Sequence, residues 1–155
     1  MVGLAGKKFE KSPVLRIIGI DPAGPLFKVD EPDSRLSRES AKYTECIHTG
    51  YFLGIKEPIC HVDFYVNGGR NQPGCNKNVG VYCSHVRGVE VLTETFNTPK
   101  TFYGKSCKTY KNAITGDCKG ETGAFINDLE NQAQNLEGVF YVSTNDKSPF
   151  GKGKE

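Results

Sequence analysis

No apolar run in the chain approaches the roughly 18 residues needed to cross a bilayer, which excludes an ordinary transmembrane helix. No cluster of Lys or Arg is dense enough to track a phosphate backbone. Twenty basic side chains stand against eighteen acidic ones, for a formal charge of +2, so nucleic acid is not an expected partner. The opening residues MVGLAGKKFE lack the apolar core and cleavage site of a signal peptide. Internal repeats, heptads and low-complexity linkers are missing as well. With 155 residues and 37% hydrophobic content, one domain with one core is the expectation.

Cysteine, by contrast, is plentiful. Cys46, Cys60, Cys75, Cys83, Cys107 and Cys118 are even in number and fall as three local pairs. Six cysteines allow about 15 connectivities. Nearest-neighbour pairing closes three short loops and suits a secreted protein better than a cytosolic one. Metal binding competes, because Cys60-His61 and Cys83-Ser84-His85 set a thiol beside an imidazole. The usual C-x-x-C and paired-histidine spacings of zinc sites are absent, which weighs against it. Disulfides imply an oxidising compartment, yet no signal leads there, so a stretch of sequence upstream of Met1 is expected.

Leu15 to Ile20 is a short, β-branched apolar run ended by Asp21-Pro22, as a buried central parallel strand would be. Asp21 then stands at the carboxyl end of a strand, where open α/β sheets place their chemistry. Lys28 to Tyr43 is polar and reads as loop. His61 to Val66 alternates as a second strand, stopped by Asn67-Gly68-Gly69. Val86, Val89, Leu92 and Phe96 recur at helical spacing, with Ser84 as the expected N-cap. After Pro99 the chain reads as loop until a strand at Val139 to Thr144. The tail from residue 151 is expected to be disordered.

A strand ending in Asp and a His at the start of a helix some sixty residues later form a weak pattern alone. Taken by themselves, Asp21 is better explained as a turn former before Pro22, and His85 as a polar residue near a helix end. The text around them is more specific. GIDPAGPLF at Gly19–Phe27 resembles the acid-bearing turn of the pancreatic lipase superfamily. Arg35-Leu36, Ala41-Lys42-Tyr43, Ile47-His48-Thr49, HVDFYVNGG from His61 and QPGC from Gln72 follow in that family's order. Cys83-Ser84-His85-Val86-Arg87-Gly88 resembles the segment that carries its catalytic histidine, and the loop lengths look most like insect members.

The resemblance implies an α/β-hydrolase fold. The 155 residues would form its C-terminal half, a parallel-sheet core with disulfide-stapled loops, with the partial catalytic domain spanning 1–150. It makes Asp21 the acid and His85 the base of a Ser-Asp-His triad. In this fold the serine precedes both, in a G-x-S-x-G elbow. No serine here, Ser12, Ser34, Ser37, Ser40, Ser84, Ser106, Ser143 or Ser148, has those flanking glycines. Val2 to Lys8 resembles the helix that directly follows the elbow, which would put the serine about five residues before Met1. Met1 then reads as an internal methionine of a longer secreted parent, whose signal peptide would lie in the missing part.

Two departures limit the carry-over. Pro32, Ser37 and Ser40 occupy positions where the vertebrate calcium loop has carboxylates, so no calcium or other cofactor is expected. Only seven residues separate Cys75 from Cys83, where larger lipases carry a long lid. A short lid resembles the phospholipase A1 branch, including wasp-venom enzymes. The loop from Cys107 to Cys118 matches a structural disulfide of the family. The expected substrate is a phospholipid or acylglycerol ester, with peripheral contact at lipid interfaces. The alternative is a lipase-like binding or storage protein without catalysis, as the insect yolk proteins of this superfamily are.

Overall fold

The computed structural model describes residues 1–9, 14–76, 80–120 and 122–154. Ser12, counted above among serines without elbow glycines, and the final Glu155 of the expected tail lie outside them. A six-stranded sheet runs in the order β1-β2-β3-β6-β4-β5. Strands β1 (Arg16–Ile20), β2 (Tyr43–His48), β3 (Val62–Val66) and β6 (Gly138–Val142) are parallel. Strands β4 (Tyr103–Cys107) and β5 (Gly123–Phe125) close the far edge antiparallel. Helices α1 (Val2–Lys8), α2 (Gly80–Asn97), α3 (Tyr110–Thr115) and α4 (Leu129–Ala133) complete the chain. The α/β class read from the sequence is the fold observed, and α1 covers the segment expected to be helical.

Every residue of β2 and of β3 is buried, so these strands have cover on both faces, as parallel strands require. Val62, Phe64, Val66, Phe140 and Val142 meet Val91 of α2, and Phe102 and Phe150 close the cluster. Fully burying one such side chain stabilises by about 1.5–3 kcal/mol. Cys46–Cys60, Cys75–Cys83 and Cys107–Cys118 are all disulfide-bonded, the nearest-neighbour set, and no cysteine is free.

Several expectations are corrected. β1 is expected to be central in the whole sheet of the longer parent; among the described residues it lies at the edge and pairs only with β2. A continuous apolar run reports burial, not which neighbour supplies it. β2 falls in a stretch whose Thr44, Glu45 and His48 disguise a strand with no solvent-facing side. The segment after Pro99 holds β4, α3, β5 and α4 in place of loop, all too short for a periodic signal.

The helix that carries His85 is already formed at Gly80, four residues before the expected cap. Its buried stripe is Ser84, Arg87, Gly88, Val91 and Thr95, while Val89 and Phe96 face solvent. Small residues win that face because a Cβ on Gly88 would come within 2.7 Å of Ile20 Cγ2, so α2 rides directly on the end of β1. The expected disordered tail has partners in the structure: the N–H groups of Phe150 and Gly151 donate to the Glu94 carboxylate at 2.8 and 2.9 Å. Gly153 N–H reaches Thr101 O at 2.7 Å.

Candidate active site

β1 ends where the chain must turn sharply under α2, and Asp21 makes that turn with a φ of +40°. Asp tolerates this left-handed region better than most residues, and such strain of about 1–3 kcal/mol gathers at functional sites. The turn is pinned by Asp21 N–H donating to Ile47 O at 2.8 Å. Asp21 itself is 1% exposed. Its Oδ1 accepts the backbone N–H groups of Thr49 and Gly50, both at 2.8 Å. Its Oδ2 lies 2.6 Å from His85 Nδ1. Both carboxylate oxygens are thus hydrogen-bonded, and the imidazole that meets Oδ2 remains 36% exposed at the side chain.

The two residues singled out in the sequence, 64 positions apart, therefore form one hydrogen-bonded pair. α2 delivers His85 from its second turn. Ser84 does not cap that helix; its Oγ accepts the Gln72 N–H at 3.0 Å. Gln72 in turn donates from Nε2 to Thr49 O at 3.0 Å and Val66 O at 2.7 Å, tying the β2 and β3 ends together beneath the pair. Arg87 donates to Pro73 O at 3.0 Å and its guanidinium sits 4.0 Å over the Phe150 ring. The Cys-Ser-His-Val-Arg segment is thereby fixed on both sides of His85.

Three contributors escaped the sequence reading. Thr49 and Gly50 act through backbone N–H groups, which every residue but proline has, so composition carries no signal of them. Gly54 has the one side-chain signal available, its absence: a Cβ there would stand 2.5 Å from Asp21 Oδ1. Beside this loop, a groove of about 390 Å³ is lined by Gly24, Pro25, Phe27, Val29, Tyr51 and Phe52. Leu26 is fully exposed at its rim and Phe52 is 63% exposed.

The metal alternatives fail on ligand chemistry. Cys60 and Cys83 are locked in disulfides, and His61 Nδ1 lies 3.0 Å from Thr44 N, which donates to it. Burial lowers the His61 pKa, which suits an uncharged, accepting nitrogen. Cys46, His48 and Asp63 approach one another closely, but Cys46 is spent in its bond to Cys60. Ser37 and Ser40, at the positions expected to lack calcium-binding carboxylates, cap each other within a short 3-10 turn. The loop expected to be a short lid between Cys75 and Cys83 lies partly outside the described residues.

Among relatives, phospholipase A1 1 of Polistes dominula is 35% identical over 153 residues, covering 96% of this chain and 44% of its own length. Phospholipase A1 of Vespula squamosa is 36% identical over 165 residues, with 98% of this chain and 52% of the relative covered. Probable phospholipase A1 magnifin of Vespa magnifica is 35% identical over 161 residues, 100% of this chain and 47% of the relative. The chain spans about half the length of the relatives it matches. The family model described as Lipase matches residues 1–150, and with the sheet, the disulfides and the ordered motifs in agreement, the chain belongs to the lipase family.

Proposed function

We propose that this chain carries the acid and base of a Ser-Asp-His triad in a secreted carboxylic ester hydrolase that acts on lipid esters, of the phospholipase A1 type. The observation that supports this most is the buried Asp21 carboxylate, held by two backbone N–H groups and bonded at 2.6 Å to a solvent-accessible imidazole. His85 Nδ1 donates to Asp21, which leaves Nε2 to take the proton of a serine hydroxyl as its oxygen attacks the ester carbonyl carbon. The tetrahedral intermediate then expels the alcohol, which receives that proton from the imidazolium. Water, activated by the same nitrogen, hydrolyses the acyl-enzyme. Asp21 orients the ring and stabilises its charge without taking the proton.

The sequence contains no G-x-S-x-G, so we assign the nucleophile and the oxyanion-hole N–H groups to residues outside these 155. The exposed Leu26 and Phe52 beside the Asp21 loop suit contact with an aggregated lipid substrate. The three disulfides and the similarity to the wasp phospholipases support an extracellular location. A lipase-like binding or storage protein is the second reading, since a chain without catalysis would share the family match and the fold. It gives a non-catalytic chain no chemical need to keep the Asp21–His85 bond.

Sequencing the transcript upstream of the Met1 codon and assaying both products discriminates the two. We expect an in-frame G-x-S-x-G, a longer protein that cleaves the sn-1 ester of a phospholipid, loss of that cleavage in His85→Ala, and none from residues 1–155 alone. An upstream stop codon, or an elbow without serine, overturns the catalytic reading. Turnover by the 155 residues that disappears in His85→Ala overturns the assignment of the serine.

A further inference from the structure

A second imidazole–carboxylate pair lies behind the first, and it is sealed from solvent. His48 and Asp63 are each 1% exposed. The His48 ring stacks on Tyr65 with centroids 4.4 Å apart and planes 6° from parallel. Its Nδ1 is 3.0 Å from Ile55 O and must donate, because a carbonyl only accepts. Its Nε2 is 2.8 Å from Asp63 Oδ1. Asp63 also accepts the Ile59 N–H at 3.0 Å on Oδ1 and the Cys60 N–H at 3.1 Å on Oδ2. Apart from the bond inside the pair, every one of these hydrogen bonds ends on residues 55–60.

The place of this pair in the chain gives it a job. His48 is the last residue of β2, and the next two residues are the Thr49 and Gly50 whose N–H groups hold Asp21 Oδ1. From there the chain makes an excursion that wraps the Asp21 turn. Leu53 O accepts Gly24 N–H at 2.8 Å, Ile55 N–H donates to Pro22 O at 2.6 Å, and Gly54 lies flat against the carboxylate. The Cys46–Cys60 disulfide ties the neck of this excursion but bonds nothing within it. His48 and Asp63 reach inside, to Ile55 and Ile59, and so set the direction in which the excursion leaves the sheet.

We propose that His48 and Asp63 are positioning residues that hold the 49–59 excursion as a rigid cradle for the Asp21 carboxylate, acting on Asp21 only through Thr49, Gly50 and Gly54. Their value for catalysis rests on the reading of Asp21 as the triad acid. Their effect on the cradle does not, and hydrogen exchange of the full chain measures it without turnover.

In the wild-type protein the Thr49 and Gly50 amides are expected to open together with those of Ile59 and Cys60, agreeing within about threefold after correction for intrinsic rates. Exchange at Thr49 and Gly50 more than about tenfold faster than at Ile59 overturns the proposal. His48→Asn keeps a donor for Ile55 O but loses the reach to Asp63, and Asp63→Asn removes the carboxylate. Each is expected to lower protection at Thr49 and Gly50 by about tenfold or more and to broaden the downfield His85 Nδ1 proton, with the β4 and β6 amides unchanged. Wild-type protection at Thr49 and Gly50 in both variants, or an equal loss in every strand, overturns it. If neither variant folds, the wild-type exchange pattern decides.

Discussion

Gly54→Ala is the perturbation that bears most directly on the Asp21 carboxylate. The new Cβ would lie 2.5 Å from Oδ1, 2.7 Å from Cγ and 2.8 Å from Oδ2. That is roughly 1 Å inside ordinary van der Waals contact. The backbone of Gly54 has little room to retreat, because its N–H donates to Gly50 O at 3.0 Å and it bridges to Ala23. The carboxylate must yield instead. A displacement of that size stretches at least one of its three bonds, now 2.6 to 2.8 Å, beyond hydrogen-bonding range. A hydrogen bond to a charged group contributes about 1.5–3 kcal/mol. At about 2–4 °C per kcal/mol for a domain of this size, the melting temperature should fall by roughly 3–12 °C.

Thermal unfolding gives the stability and the downfield Nδ1 proton of His85 gives the local geometry, which should lose intensity or broaden. Gly80→Ala is the control, since a Cβ there meets nothing within 4 Å. It should be neutral or stabilise by up to about 1 kcal/mol, through helix propensity and the unfolded chain. A Gly54→Ala protein that melts with the wild type and keeps a sharp His85 signal would falsify the account of how Asp21 is held.

The Tyr43 hydroxyl is buried without a hydrogen-bond partner among the described residues, and burial raises its pKa. Tyr43→Phe should therefore stabilise by about 1 kcal/mol, seen as a higher denaturant midpoint at unchanged slope, and a lower midpoint would show that the hydroxyl has a partner. Glu45, wholly buried in β2, has its pKa raised by burial, against the opposing pull of Arg16 and the N–H of Asn127. Its folded-state pKa then lies above the unfolded one. The stability it contributes is complete below the ordinary value of 4.5 and is lost as pH rises through the folded pKa. The stability of wild type relative to Glu45→Gln should fall with rising pH above that value, and a rise would mean that Arg16 outweighs burial.

The pairing of Asp21 with His85 was legible because their flanking motifs are long: Gly19–Phe27 around Asp21 and Cys83–Gly88 around His85. The disulfide partners were legible because short loops favour local pairing. The strands β1, β3 and β6 showed themselves through apolar, β-branched runs. β2 did not, because its Glu45 and His48 are buried polar residues satisfied by partners distant in sequence, Arg16 and Asp63. The face of α2 was misjudged for a related reason. Hydrophobicity marks Val89 and Phe96, whereas close approach to Ile20 selects Gly88.

The amino-acid sequence by itself pointed to the family, the α/β class, the cysteine pairing and the two residues, Asp21 and His85, that meet in a hydrogen bond, since each rests on residue type and local spacing. Only the tertiary structure decided that Thr49, Gly50 and Gly54 form the cradle and that His48 and Asp63 brace it. The cradle is made of backbone groups and an absent side chain, and its brace of two side chains bonded to main-chain groups; a hydrogen bond with the main chain leaves no trace in residue type until the fold brings donor and acceptor within reach.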